Sequence, residues 1–213
     1  MNRLERVRIF RRDAASLACI ALGAGLCLLA SATPVLAHVQ AGQARGLVSG
    51  LLHPISGLDH VLAMVAVGIW GSQLGRPAIW LLPVAFPLVM SAGGVLGVRG
   101  VPLPGVEIGI ALSALALGLM IALAARPPLW AAATLVGAFA IFHGYAHGAE
   151  LPHAAQPLAY GVGFVIATGL LHVTGIAIGL LHRWRQGQAA LRFAGVVIAA
   201  AGGYLLSGAL RPL

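Results

Sequence analysis

Residues 129–149 read LWAAATLVGAFAIFHGYAHGA. No Asp, Glu, Lys or Arg interrupts the run, and its length matches the ~20 residues that cross ~30 Å of hydrocarbon as a helix. Two histidines stand in its last third. Working outward, Arg and Pro punctuate the chain into five more apolar stretches, at about 46–74, 78–98, 106–125, 158–181 and 193–210. Lipid offers no partners for loose backbone groups, so each is expected to be helical. The predicted fold is all-α: a polytopic membrane protein of six transmembrane helices. The first stretch is long enough to tilt or to contain a break.

Composition agrees. The chain has 213 residues, 60% of them hydrophobic and 8% charged, where soluble domains carry about 25% charged residues. A soluble globular domain and a disordered chain are both excluded on that ground. The net charge of +8 comes entirely from Arg against five acids. These Arg are clustered at the N-terminus or scattered as loop punctuation, not aligned as a nucleic-acid footprint. Glycines recur at small-xxx-small spacing, as Gly71 with Gly75, Gly144 with Gly148 and Gly175 with Gly179, a pattern that lets helices approach closely.

The N-terminus reads as a secretory signal peptide. Arg3, Arg6, Arg8, Arg11 and Arg12 form a basic region, Ala14 to Ala30 is apolar, and Val35-Leu36-Ala37 offers small residues for cleavage after Ala37. An uncleaved first helix is the other reading. Cleavage divides the chain into a signal peptide, 1–37, and a six-helix membrane transport domain, 38–213. It removes Cys19 and Cys27, hence every thiol, and lowers the net charge to about +5. It also exposes His38 as the new N-terminus, where amine and imidazole form a chelating pair; equally, any residue follows a cleavage site. Cleavage and six spans place both termini outside a bacterial inner membrane. The inside loops then hold Arg76, Arg126, Arg183, Arg185 and Arg192, against Arg45, Arg99 and Arg211 outside, a weak positive-inside bias. The loop 182–192 carries most of it.

Beyond residue 37 only three acids remain: Asp59, Glu107 and Glu150. An ionisable group at the centre of a span costs at least ~2.5–3.5 kcal/mol, so its presence there asks for a reason. Two of the three stand beside histidines. In HPISGLDH, residues 53–60, His53 and His60 share a helical face but lie two turns apart, ~10 Å in a regular helix. Only a break, at Pro54 or Gly57, lets them bind one ion; the alternative is a kinked helix with hydrogen-bonded histidines. In FHGYAHGAE, residues 142–150, His143, His147 and Glu150 fall on one face. Imidazole with carboxylate suits nickel, cobalt, copper or zinc, while polar residues meeting headgroups is the plainer account. The topology brings both clusters to similar depth in the outer half of the membrane.

Other polar residues are less telling. His172, mid-span, is a ligand or a satisfied core histidine. Ser56 and Thr174 are positioned to support the histidines or to bond their own helix. His153 reads as solvated, His182 as snorkelling, and Glu107 as an interfacial or entrance charge.

The two clusters resemble the signatures of the HupE/UreJ family of nickel permeases. The family pattern His, five residues, Asp, His stands here as HPISGLDH, and Phe-His-Gly-x-Ala/Val-His-Gly-x-Glu stands as FHGYAHGAE. Every specified position matches. The signal segment, the His after it and six further spans are similar as well. The resemblance implies secondary-type uptake of nickel, or cobalt, to supply hydrogenase or urease. It implies metal-handling roles for His38, His53, Asp59, His60, His143, His147 and Glu150. No prosthetic group is expected, Ni2+ or Co2+ being cargo, and no enzymatic activity. The expected partners are a divalent transition-metal ion, the lipid bilayer and a further copy of the chain in a homo-oligomer, with no nucleic acid. A three-plus-three inverted repeat would set the two motif-bearing spans face to face. The competing classes are an intramembrane His-ligated metalloenzyme, a haem-binding membrane protein and a structural or accessory membrane subunit. HGYAHGAE lacks the His-Glu-x2-His order of a zinc protease.

Overall fold

The computed structural model describes residues 46–151 and 156–211. The expected signal peptide, His38 and His153 lie outside the described residues. Among the described residues the chain is all helical. Its helices are α1 (Leu47–Ser56), α2 (Leu58–Leu74), α3 (Ala78–Val98), α4 (Val106–Leu123), α5 (Leu129–Ala149), α6 (Pro157–Gly179) and α7 (Arg185–Ala209). Five of them, α3 to α7, are long and apolar enough to cross a membrane. The first two pass that test only together, as a pair bent by 84°.

The bend falls at Gly57, not at Pro54, which stays inside α1. Gly57 is extended (φ −99°, ψ 119°), a conformation open to any residue. What requires glycine is space: a Cβ there would stand 2.8 Å from Asp59 Oδ1 and 2.9 Å from His60 Nδ1.

Helix α2 is the core of the bundle. It is buried on nearly all sides from His60 to Gln73, as expected of a helix apolar around its whole circumference. Trp70, Met64, Ala63, Ala66 and Val67 are wholly enclosed. Its far end is tied to the end of α4. Trp70 Nε1–H donates to Ala125 O at 3.0 Å and Gln73 Nε2–H to Ile121 O at 3.4 Å, satisfying carbonyls that a helix C-terminus leaves without partners.

Three helix pairings build the rest: α3 on α5, α4 on α7, and α6 on both α1 and α2. Glycine makes each of them close. In the first, a Cβ on Gly144 would strike Met90 O, one on Gly148 would strike Gly94 O, and one on Gly93 would strike Ile141 O. In the second, Gly118 faces Ala199 and Gly202 faces Leu115. In the third, Gly163 faces Leu47, Gly68 faces His172 O, and Gly175 faces Val65 O. Residue numbers rise together across α3–α5 and across α2–α6, which are therefore parallel, while α1, bent away from α2, crosses α6 near Gly163. The numbers run opposite ways across α4–α7, which is antiparallel. Van der Waals contact between backbones replaces the hydrophobic drive that lipid does not supply.

Two expectations need correction. Of Gly71 and Gly75 only the first makes a close approach, a Cβ there standing 3.2 Å from Ala78 O; Gly75 caps α2 at φ 80° with nothing near its absent side chain, and Gly68 makes the crossing with α6. The loop expected over 182–192 is mostly helix. A short 3-10 turn, Leu180–Arg183, leads through Trp184 into α7 at Arg185. Arg and Gln are good helix formers with low hydropathy, so a hydropathy reading starts the helix too late. Gly187 packs onto Leu181 O and seats that polar first turn against α6's end.

Candidate metal centre

The 84° break lets α1 and α2 present His53 and His60 to one place. Both rings meet His147 of α5, with centroids 4.8 and 4.3 Å away. A regular helix would have held them ~10 Å apart. The two sequence clusters therefore form one site, at the end of the bundle where α5 terminates.

Its more exposed part is His53, His147 and Glu150. One ligand atom from each lies within 4.8 Å of the others. His53 Nε2 and His147 Nδ1 are 3.0 Å apart and share a hydrogen bond, and Glu150 Oε2 stands 3.9 Å from His53 Nε2. Glu150 is the C-cap of α5 and is exposed, so its charge faces the approach. His53 belongs with this group.

The deeper part is Asp59, His60 and His143. His60 Nδ1–H donates to Asp59 Oδ1 at 2.9 Å, which leaves Nε2 with the lone pair. That atom is buried and unpartnered. The tautomer of His143 follows from a serine. Ser113 O–H donates to Ile110 O at 2.6 Å, so its oxygen accepts from His143 Nε2–H at 2.9 Å. His143 Nδ1 then carries the free lone pair, and it too is buried without a partner, as is His147 Nε2. In these tautomers His60 Nε2 and His143 Nδ1 each present an unused lone pair within one cluster, the form in which a histidine nitrogen binds a metal. The carboxylate and the hydroxyl sit behind the rings and fix their tautomers, the usual role of groups behind metal-binding histidines.

Aromatic rings wall the cluster. Phe164 of α6 packs on His147 at 4.4 Å, and Tyr160 lies 5.8 Å from His53. Phe86 of α3 lies 5.7 Å from His143. Gly144 and Gly148 place α5 directly on α3, which holds the α5 histidines in register with that wall.

A family model described as HupE / UreJ protein matches residues 26–205. The chain belongs to the HupE/UreJ family. It is 49% identical over 182 residues to Protein HupE of Rhizobium leguminosarum bv. viciae, covering 85% of this chain and 95% of that one. No solved structure matches the chain. With its run of long apolar helices it is a multi-pass membrane protein of that family.

The site of this HupE/UreJ member holds residues that the motifs do not mark. Ser113, Phe86, Tyr160 and Phe164 reach it from three other helices, and a lone Ser or Phe in an apolar span carries no local signal. Ser56 and Thr174 do not support the histidines; their hydroxyls donate to His53 O and Leu170 O. Nor is His182 adrift at an interface: its Nδ1–H donates to Gly179 O at 2.8 Å. His172 is buried with neither ring nitrogen partnered. Glu107 sits exposed in the first turn of α4, where a helix N-terminus favours a carboxylate.

Proposed function

We propose that the protein is a secondary-type permease that imports nickel, or cobalt, across the bacterial inner membrane, and that it is not an enzyme. The observation that carries this is the meeting of His53, His147 and Glu150, within 4.8 Å of one another, beside the buried, unpartnered ring nitrogens of His60 and His143. Imidazole nitrogen and carboxylate oxygen suit a borderline divalent cation. The site is graded: an exposed carboxylate leads to a half-buried histidine, and then to buried histidines where Asp59 partly neutralises the cation. A cation is attracted, stripped of water in steps, and bound by neutral ligands that release it again.

In this reading α1 and α2 form one broken span, which gives six, with the site at its break. Broken spans beside ion sites are a recurrent transporter device. The helix pairings support a three-plus-three inverted repeat. Exchanging the first three spans for the last three carries α3–α5 onto the pairing of α6 with α1 and α2, and returns α4–α7 to itself. Cleavage after Ala37 puts both termini outside and gives His38, together with Glu150, a role in capturing the ion. A divalent cation entering a negative-inside cell gains about 2 × 2.3 kcal/mol per 100 mV, enough to drive entry without ATP. Copies of the chain assemble as a homo-oligomer in the bilayer.

The test is accumulation of radioactive nickel by nickel-limited cells expressing the chain, beside His147→Ala and Asp59→Ala, with membrane levels measured and cobalt and zinc as competitors. Uptake by the wild type and its loss in both variants supports the permease. No uptake by the wild type refutes it; iron or haem in the purified protein would then favour a metalloenzyme or haem carrier.

A further inference from the structure

Among the described residues outside the histidine cluster, five buried side-chain atoms have no hydrogen-bond partner: Thr168 Oγ1, both ring nitrogens of His172, Ser72 Oγ and Gln73 Oε1. All five belong to α2 and α6, which pack in parallel register. His172 O lies against Gly68, and Ser72 Cβ against Gly179. The register therefore orders them by depth, with Thr168 near the level of His60, His172 next, and Ser72 and Gln73 last. From His60 to Gln73 the seam runs ~20 Å at 1.5 Å per residue, most of a ~30 Å hydrocarbon core.

Each such atom gives up its hydration without a replacement partner, and lipid cannot relieve that cost. A leucine at position 172 would fill a similar volume without that cost. His172 is 1% exposed and Thr168 fully enclosed. They stand one turn apart on α6, so they share a face. The ring of Phe86 stands 5.7 Å from His143 and 5.4 Å from His172, between the upper cluster and this pair.

We propose that His172, with the Thr168 hydroxyl, is a second and deeper relay site for the divalent cation, parted from the upper histidines by Phe86. The proposal rests on the permease reading. The ion leaves His60 and His143, passes the Phe86 ring, and is taken by the imidazole of His172. The oxygens of Ser72 and Gln73 receive it next. An imidazole placed midway keeps the desolvated ion from facing apolar helix alone, and a single nitrogen ligand releases it readily.

The test compares full-length wild type with His172→Leu, His172→Asn and Thr168→Val. Nickel accumulation per molecule in the membrane is measured in cells, and Co2+ binding to the purified protein by absorption. The expected result is a tenfold or greater loss of uptake in His172→Leu, a smaller loss in Thr168→Val, and Co2+ still bound at the upper histidines with an unchanged spectrum. Wild-type uptake by His172→Leu overturns the proposal. If the Leu variant fails to reach the membrane, His172→Asn decides: loss of uptake with Co2+ binding retained supports the relay, and wild-type uptake overturns it. A wild-type chain that neither binds Co2+ nor takes up nickel fails the permease reading instead. Loss of Co2+ binding in His172→Leu at full expression overturns the relay in favour of a structural role.

Discussion

Replacing Gly144 by Ala tests whether backbone contact between α3 and α5 holds the site together. The added methyl would strike Met90 O and stand 2.7 Å from Met90 C and 2.9 Å from Gly94 N. Reaching the 3.4 Å of ordinary contact with Met90 C alone requires the helices to part by about 0.7 Å, and with the nearer Met90 O by more, and the clash is with backbone, which has no rotamer to escape into. Overpacking of that kind costs ~1–3 kcal/mol. At about 2–4 °C per kcal/mol for a chain of this size, the thermal midpoint falls by roughly 2–12 °C. The helix carries its own control: a Cβ on Gly137, two turns earlier, meets nothing within 4 Å. Gly137→Ala therefore gains the ~0.5–1 kcal/mol of helix propensity without a clash. Thermal unfolding of both variants in one detergent, followed by intrinsic fluorescence, gives the comparison. Because His143 adjoins Gly144 and His147 lies one turn on, nickel uptake per molecule should fall in Gly144→Ala and hold in Gly137→Ala. Equal midpoints for the two variants would refute the close crossing and the reasoning built on it.

Ser113→Ala removes the acceptor that fixes the His143 tautomer; nickel affinity is expected to drop by ~10–100-fold, read by titration of the purified protein, with the fold intact. In Gly57→Ala the new methyl presses on Asp59 Oδ1 and His60 Nδ1, ends of side chains that can yield. Membrane levels should stay normal while uptake falls tenfold or more, and an unchanged rate would mean that the Asp59–His60 pair does not matter. Trp70→Phe deletes the hydrogen bond to Ala125 O far from the histidines. It should cost about 1 kcal/mol, seen as a lower thermal midpoint, with uptake per molecule unaltered.

Most of the helices are legible in the residues themselves. Lipid forbids unpaired backbone, so an apolar run of sufficient length has one regular solution, and α3 and α5 occupy the ranges 78–98 and 129–149 read from hydropathy. The reading fails where polarity and helicity part company, at the start of α7. The identity of the site residues is legible too, because an acid beside histidines inside a span is expensive enough to demand a use. Spacing alone also shows that His53 and His60 need a broken helix to meet.

Tertiary structure alone decided how far the chain bends at Gly57, and so which histidines face one another. It placed His53 on the Glu150 side of the site, because an 84° turn is a packing outcome with no signature in residue type. Only the fold brought Ser113 to His143 and the Phe86 ring between His143 and His172, since these contacts join helices far apart in the chain and their local sequence is ordinary. Which glycines serve as crossings was decided in the same way: small-xxx-small spacing marks where helices can approach, while the partner helix determines where they do.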